Sequence, residues 1–305
     1  MTFETIVVDN GSTDGSADLA ESEFGARVIR NRENRGFCAA NNQGIAAAAG
    51  EFIALLNNDA EADPRWLEEL HRACDSRPEV GMAASKVLVW EDPRRIDKAG
   101  HLIFPDGQNR GRGTGALDVG QFDREEDVLW PDGCAAMYRK RMFDEIGGFD
   151  EDFFAYGDDA ELGLRARIAG WKCVYAPRAV VRHHRGSTMG KDSGRRLQLI
   201  ERNRVLLAAK LFPWSLLCLN PLYFAVRLTA GAFKAGRGEG DTAHFPGLAG
   251  KFRMMRSLAA GDWQALRMVP RMLRKRAQVA RIRRMKPGEV RRLILANRLA
   301  LRDVA

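Results

Sequence analysis

Four clusters of short polar and acidic side chains follow apolar runs in this chain, and each suits a definite chemistry. The first is Asn57-Asn58-Asp59-Ala60-Glu61-Ala62-Asp63, directly after the buried-strand pattern Gly50-Glu51-Phe52-Ile53-Ala54-Leu55-Leu56. In an open α/β sheet, ligands bind beyond the carboxyl ends of the strands. Hard cations such as Mg2+ or Mn2+ take oxygen ligands there and share them with substrate phosphates. Asn57 and Asp59, with Glu61 or Asp63, therefore form a candidate cation corner. The same residues also fit a turn in which Asp63-Pro64 opens a helix over 65–74.

Asp9-Asn10-Gly11-Ser12 ends another strand pattern. Its carboxylate suits a base N–H or a ribose hydroxyl, or else an Asx-turn with a helix cap. Asn34-Arg35-Gly36-Phe37 and Asn41-Asn42-Gln43-Gly44 make a second polar corner, where Gly36 lets backbone approach a ligand. In Phe153-Phe154-Ala155-Tyr156-Gly157-Asp158-Asp159-Ala160-Glu161, aromatic residues run into acids at a helix start, where the macrodipole favours negative charge. Asp159 suits a general base acting on a hydroxyl. Asp158 and Glu161 would hold geometry or bind acceptor hydroxyls, and Glu161 is also spaced to pair with Arg165. An acidic cap on a surface helix is the plainer reading. His183-His184 follows a strand and offers an imidazole ligand to the cation corner, or simply a surface or core histidine.

The elements that must position these residues alternate. Strands are expected at 4–9, 28–30, 51–56, 80–89, 130–138, 172–175 and 179–183. Helices are expected up to residue 19, up to 49, and over 65–74, 140–146 and 159–169. Residues 92–127 are rich in Gly, Asp and Arg and read as a long loop region with short strands. Such β-α-β-α-β order argues for an α/β fold with a mostly parallel, covered sheet. After Ser193 the pattern turns helical, first over 195–212. The apolar stretch 213–233 is interrupted by Pro213, Asn220, Pro221 and Arg227, short of the ~20 apolar residues a spanning helix needs. A segment lying in the membrane interface fits it better. The expected division is an α/β domain over 1–192 and a helical, basic region over 193–305.

Charge follows the same division. The net of +8 combines 28 Lys and Arg against 7 Asp and Glu from Arg178 onward with 20 against 33 before it. An acidic front suits a cation site, and a basic back suits an anionic surface. Few aromatics interleave with the arginines after Phe252, which favours lipid over nucleic acid as that surface. Five dispersed cysteines, with no CxxC pair, suggest a reducing compartment.

As an ordered set, these clusters resemble the family 2 glycosyltransferases of the GT-A (Rossmann-like) fold, close to rhamnosyltransferase-like members. Val7-Val8-Asp9-Asn10-Gly11-Ser12-Thr13-Asp14-Gly15-Ser16 is similar to the family's nucleotide-binding turn. Asn34-Arg35-Gly36-Phe37 with Asn42 and Gly44 resembles its next donor motif. Leu55-Leu56-Asn57-Asn58-Asp59 resembles a DXD motif with Asn in its first position, so the ion has one fewer charged ligand. Gly148-Phe149-Asp150-Glu151 with the 153–162 cluster resembles the acceptor-side motif that carries the base. His183 or His184, followed by Gly186 and Thr188, resembles a late metal-binding histidine. The family has a further strand and helix before the position of Glu4, so the expectation is an N-terminally truncated domain.

The resemblance implies an inverting transfer from a nucleotide-diphospho-sugar, with dTDP-rhamnose a donor of this group, to a glycan or lipid-linked hydroxyl. Asp159 would be the base, and Tyr156, Asp158 and Glu161 would contact the acceptor. Asp9, Asn34, Gly36, Asn42 and Asn57 would contact the donor, and Asp59 with His183 or His184 would hold Mg2+ or Mn2+. The expected place is the inner face of the cell membrane, in surface polysaccharide or cell-wall synthesis. Two rivals stand beside it. A nucleotidyltransferase of the same fold would release diphosphate from sugar phosphate and nucleoside triphosphate. A non-catalytic membrane- or nucleic-acid-binding protein would keep its binding after loss of Asp59 and Asp159.

Overall fold

The apolar runs of the first half become strands, and the polar clusters fall where those strands end. A computed structural model describes residues 1–184, 194–236 and 247–304. The chain begins with β1 (Ile6–Asp9), α1 (Ser16–Ser22), β2 (Arg27–Arg30), α2 (Phe37–Ala47), β3 (Phe52–Leu56), β4 (Ala60–Ala62) and α3 (Trp66–Asp75). It continues through β5 (Val80–Val89), β6 (Ile96–Lys98), β7 (His101–Ile103), β8 (Asn109–Gly111), β9 (Glu126–Val128), β10 (Ala135–Arg139) and α4 (Lys140–Ile146). After a short turn of 3-10 helix, Glu151–Phe153, come α5 (Asp158–Ile168) and β11 (Lys172–His183). The helical region comprises α6 (Gly194–Leu211), α7 (Trp214–Leu217), α8 (Asn220–Gly236), α9 (Gly247–Ile282), α10 (Pro287–Ala296) and α11 (Leu301–Val304).

The main sheet runs β3-β10-β5-β11-β4, with β6 on β5 and β9 on β11. Its centre, β5, is an almost continuous run of buried residues, as a strand covered on both faces requires. Pairing is mixed. β5 and β11 are parallel, whereas β10 lies antiparallel between β3 and β5, and β4 lies antiparallel on β11. The strand-helix alternation suggested mostly parallel pairing. The antiparallel members enter because β10 follows an excursion of four short strands, β6 to β9, rather than a crossover helix. The two strand patterns over 172–183 are one strand, β11, with an irregularity between Ala176 and Val180 around Pro177. Proline cannot donate to a ladder, which is why the break falls there.

β1 and β2 form a separate parallel pair, Ile6 opposite Arg27 and Asp9 opposite Arg30. Among the described residues, β3 pairs only with β10 and β1 only with β2. The cleft between them is lined by residues 6–8 on one side and 52–56 on the other.

Two sets of buried side chains cover the main sheet. On one face Trp66, Leu70, Ala73 and Cys74 of α3 pack on Val80, Val87, Val174 and Val181. On the other, Met82, Tyr138, Leu162 and Leu164 share a continuous core with Leu206, Leu207, Ala265, Met272, Val290 and Ile294. The C-terminal helices are thus packed into the same core as the sheet. At roughly 1.5–3 kcal/mol for each large apolar side chain removed from water, this contact is a substantial share of the fold's stability.

Candidate active site

The cation corner is built by register. β3 ends at Leu56, and the Asn57 N–H donates to the Cys134 carbonyl at 2.8 Å. The chain then turns back as β4, which pairs with β11 so that Ala60 stands opposite His183. That pairing brings His183 Nε2 to 3.3 Å from Asp59 Oδ1. The other ring nitrogen, Nδ1, lies 3.1 Å from Oδ2 of Asp97, a fully buried carboxylate on β6. Side chains alternate faces along a strand, so the next residue, His184, leaves the site. Its ring is exposed and stacks on Trp90 at 3.8 Å, and only its backbone N–H reaches Asp59, donating to the carbonyl at 2.9 Å. Of the two histidines expected as ligands, His183 is therefore the one whose ring faces Asp59, and the ring of His184 does not. Gly186 and Thr188 lie outside the described residues. Asp63 forms the turn before α3, its Oδ1 accepting from the Arg65 N–H at 3.0 Å, and neither it nor Glu61 lines the cleft.

The donor-side turns reach the same cleft. Both oxygens of Asp9 accept from the Ser12 N–H, at 3.1 and 3.3 Å, and Asn34 Oδ1 accepts from the Gly36 N–H at 2.9 Å. Gly36 has φ of +87°, and a Cβ there would sit 2.5 Å from the Phe154 ring. The residue must be glycine for the donor-side turn and the acceptor-side loop to touch. Asp9, Asn34, Gly36, Asn57, Asp59, Tyr156, Asp158, Asp159 and His183 all line one open cleft of about 2200 Å³. Asn42 does not. Its amide donates to the Phe149 carbonyl at 2.9 Å and its oxygen accepts from the Phe149 N–H at 2.8 Å. It faces the opposite side of α2 from Asn41 and pins the loop after α4, so its expected donor contact is corrected.

On the acceptor side, α5 is drawn in by a missing side chain. A Cβ on Gly163 would overlap Trp130 at 2.1 Å, so glycine lets the helix close onto the Trp130–Asp132 segment. Asp159 at its first turn then meets Asp132 and His101. His101 Nε2 is 3.0 Å from Asp132 Oδ2 and 3.5 Å from Asp159 Oδ2, and the Lys98 ammonium pairs with Asp132. The loop before α5 is held in an uncommon backbone state, with φ of +64° at Phe154 and +67° at Tyr156. Asn203 of α6 holds it there, its amide donating to the carbonyls of Phe153, Ala155 and Tyr156 at 2.9, 2.9 and 2.6 Å. Arg202 adds a bond to the Phe153 carbonyl at 2.8 Å.

The adjacent acids differ in surroundings. Burial pushes the Asp158 carboxyl well above the usual range, and the neighbouring Asp159 charge pushes it further. Burial raises Asp159 too, as does Asp132, and the net direction is upward, but here His101 and Lys98 oppose the rise. Asp159 is thus the member of the pair whose ionised form has cationic and N–H partners at hand. Burial would raise Asp132 too, yet Lys98 and His101 hold it well below the ordinary value.

Glu161 is corrected. It is fully buried, 2.9 Å from Arg165 Nε and 2.6 Å from Lys210 Nζ, and does not reach the cleft. One turn beyond Asp158, it faces the core. The Arg165 pairing expected from spacing is present.

Two groups of side chains could hold a cation. At Asp59 and His183, an imidazole and a carboxylate face each other while Asp97 orients the imidazole from behind, the arrangement by which proteins fix a metal-binding histidine. These residues fit a divalent ion shared with a diphosphate. At His101, Asp132 and Asp159, ligand atoms lie within 4.8 Å of one another, but there the Lys98 ammonium already supplies the positive charge.

Sequence reasoning missed Asp97, Lys98, His101, Asp132, Arg202 and Asn203. The first three sit in the region read as loop. They stand on or beside strands of three residues, too short to leave a periodic signal. Nothing in the spacing of α6 marked Arg202 or Asn203.

The fold that carries this cleft is GT-A-like. A crystal structure of GalNAc-T7 with UDP, GalNAc and Mn2+ superposes with a TM-score of 0.56 at 15% identity, covering 74% of this chain and 44% of that one. Residues 1–147 match the model of glycosyl transferase family 2. It is 29% identical over 209 residues to the N-acetylglucosaminyl-diphospho-decaprenol L-rhamnosyltransferase of Mycobacterium tuberculosis, covering 61% of this chain and 68% of that protein. It is 30% identical over 201 residues to the O-antigen biosynthesis protein RfbC of Myxococcus xanthus, covering 63% of this chain but 16% of that one.

Proposed function

We propose that the protein is an inverting glycosyltransferase that moves a sugar, rhamnosyl in the first instance, from a nucleotide-diphospho-sugar to a hydroxyl of a glycan or lipid-linked acceptor. The observation that carries this reading is that Asp59 and Asp159, 100 residues apart in sequence, line one cleft with the Asp9 and Gly36 turns. The nucleoside lies against Asp9 and Asn34, and the diphosphate toward Asn57, Asp59 and His183. Asp59 and His183 would hold Mg2+ or Mn2+, and the bound ion would supply positive charge for the departing diphosphate. Asp159 accepts the proton of the acceptor hydroxyl, and that oxygen bonds to the anomeric carbon. The bond from that carbon to the diphosphate oxygen breaks, and its electron pair leaves with the nucleoside diphosphate. One displacement needs one base and forms no covalent enzyme intermediate. Asp158, kept protonated, can donate a hydrogen bond to the acceptor or the sugar, and Tyr156 borders the same opening.

The surface supports a lipid-side location. Leu248, Phe252 and Met255 of α9 are exposed, as are Lys251, Arg253 and Arg256 between them. Trp214, Leu222 and Phe233 are also exposed on α7 and α8. Among the described residues, no helix is long and apolar enough to cross a membrane. Apolar and basic side chains so interleaved suit an anionic lipid interface.

The test is a transfer assay with dTDP-rhamnose and a polyprenyl-diphospho-N-acetylglucosamine, with and without Mn2+, followed by NMR of the product. Transfer with inverted anomeric configuration supports the reading. Retained configuration, or donor hydrolysis unaffected by loss of Asp159, rejects it.

A further inference from the structure

His101 has a place in this site that neither its sequence context nor the family match assigns. It stands on β7, is 5% exposed, and lies roughly parallel to the Trp130 ring, with centroids 6.0 Å apart and 26° between planes. Its Nε2 is the one ring atom near acceptors, 3.0 Å from Asp132 Oδ2 and 3.5 Å from Asp159 Oδ2. Its Nδ1 is buried and has no hydrogen-bond partner. A proton on Nδ1 would be an unsatisfied buried donor, which is costly, whereas a bare Nδ1 loses less. The proton therefore belongs on Nε2, facing the two carboxylates.

Asp132 is fixed in turn. Its Oδ2 takes the Lys98 ammonium as well as His101, and its Oδ1 accepts from the Cys134 N–H at 2.9 Å. His101, the side chain that meets Asp159, is thus held by Asp132, itself paired with Lys98, and by a flat contact with Trp130. Asp159 Oδ1 accepts from its neighbour Ala160 N–H at 2.7 Å, so each of its oxygens has a donor close by. The 3.5 Å separation at Oδ2 is long, as such contacts often are before substrate arrives, and tightens in the loaded site.

We propose that His101 is a positioning residue for the sugar-transfer reaction: its Nε2–H, braced by Asp132 and Lys98, holds Asp159 ionised and aimed at the acceptor hydroxyl. It acts as a donor only and takes no proton, since its far nitrogen faces the buried interior. The inference rests on Asp159 being the base. The charged and titratable groups that face Asp159 are His101 and Lys98 from the β6–β7 region, Asp132 and Tyr138 around β10, and Asp158 on its own helix. Of these, Lys98 favours its ionised form by charge, and neutral His101 does so through its Nε2–H.

The experiment compares His101→Leu, which removes the donor, with His101→Gln, whose amide N–H reaches about as far as Nε2. The full-length protein is assayed for transfer across pH, and nucleoside diphosphate affinity is measured by calorimetry. The Leu variant should lose about 10- to 100-fold in kcat, with donor affinity unchanged and the acidic limb of its pH profile displaced upward. The Gln variant should recover most of kcat and the parent limb. Equal loss in both variants, or an unmoved limb in the Leu variant, overturns the proposal. Where the Leu variant does not fold, His101→Asn, polar but too short to reach Asp159, takes its place with the same expectation. Asp159→Asn run alongside separates the two readings. If it retains transfer, the base assignment fails. If it abolishes transfer while the His101 variants match the parent, the base stands and only the role of His101 falls.

Discussion

His183 and Asp97 are joined ring to carboxylate, Nδ1 to Oδ2 at 3.1 Å, so that the opposite nitrogen of the imidazole can point only toward Asp59. A buried acid behind a histidine fixes its tautomer and strengthens it as a ligand. Asp97→Asn and His183→Ala should therefore each weaken Mn2+ binding by about 10- to 100-fold. His184→Ala should leave it within about 2-fold, because that ring packs on Trp90 outside the cleft. Titrating Mn2+ against thermal stabilisation by a nucleoside diphosphate reads all three.

Asp159→Asn keeps the shape of the site and removes the base. The kcat for transfer should fall by about 10²- to 10⁴-fold, with donor affinity within about 2-fold of the parent. Comparable loss of both would move Asp159 from proton transfer to donor binding.

Asn42→Ala should act on stability alone. It breaks a two-way bond to Phe149 and leaves a backbone N–H and a carbonyl without their partner, at about 1–3 kcal/mol. Differential scanning calorimetry should show the lower Tm, while donor KM stays put. A raised KM with unchanged Tm would return Asn42 to the cleft.

Asp262, on α9 beside Arg204, gives a pH signature apart from that of the Asp158–Asp159 pair. Burial first, then the charge of Glu201, pushes its carboxyl up to about 6, against opposing pull from Arg204 and Arg227. Between about 4, the unfolded value, and 6 the folded protein holds a proton the unfolded chain has released. This group's contribution to stability therefore falls as pH rises through that window. Asp262→Asn should melt about 2 °C higher than the parent above pH 6, a modest figure because the group is only half-buried. The gain should shrink toward pH 4. A Tm difference that does not vary with pH would rule out titration of this carboxyl as its source.

Much of the site was legible because strand ends announce themselves. A buried run followed by Asp-Asn-Gly or Asn-Asn-Asp marks where a sheet meets solvent, which singled out Asp9 and Asp59, whereas Asp159 stood out as an acid at a helix start. What the sequence hid was orientation. Asn41 and Asn42 differ by one step around α2, yet one lines the cleft and the other is spent on Phe149. Glu161 differs from Asp158 by one turn and belongs to the core. Nor could periodicity locate Asp97, Lys98 and His101, since strands of three residues are too short to show a period. Their burial is a tertiary event, produced when β6 lies on β5 and carries its neighbours under the site.

Because, among the described residues, β1 and β2 share no ladder with the larger sheet, the Asp9 turn and the Asp59 corner stand at the ends of two separate ladders facing each other over an open gap. Any molecule long enough to touch both ends becomes a strut between them. Its loss or cleavage in the middle removes that brace, so the shape of the opening is tied to whether its contents are in one piece.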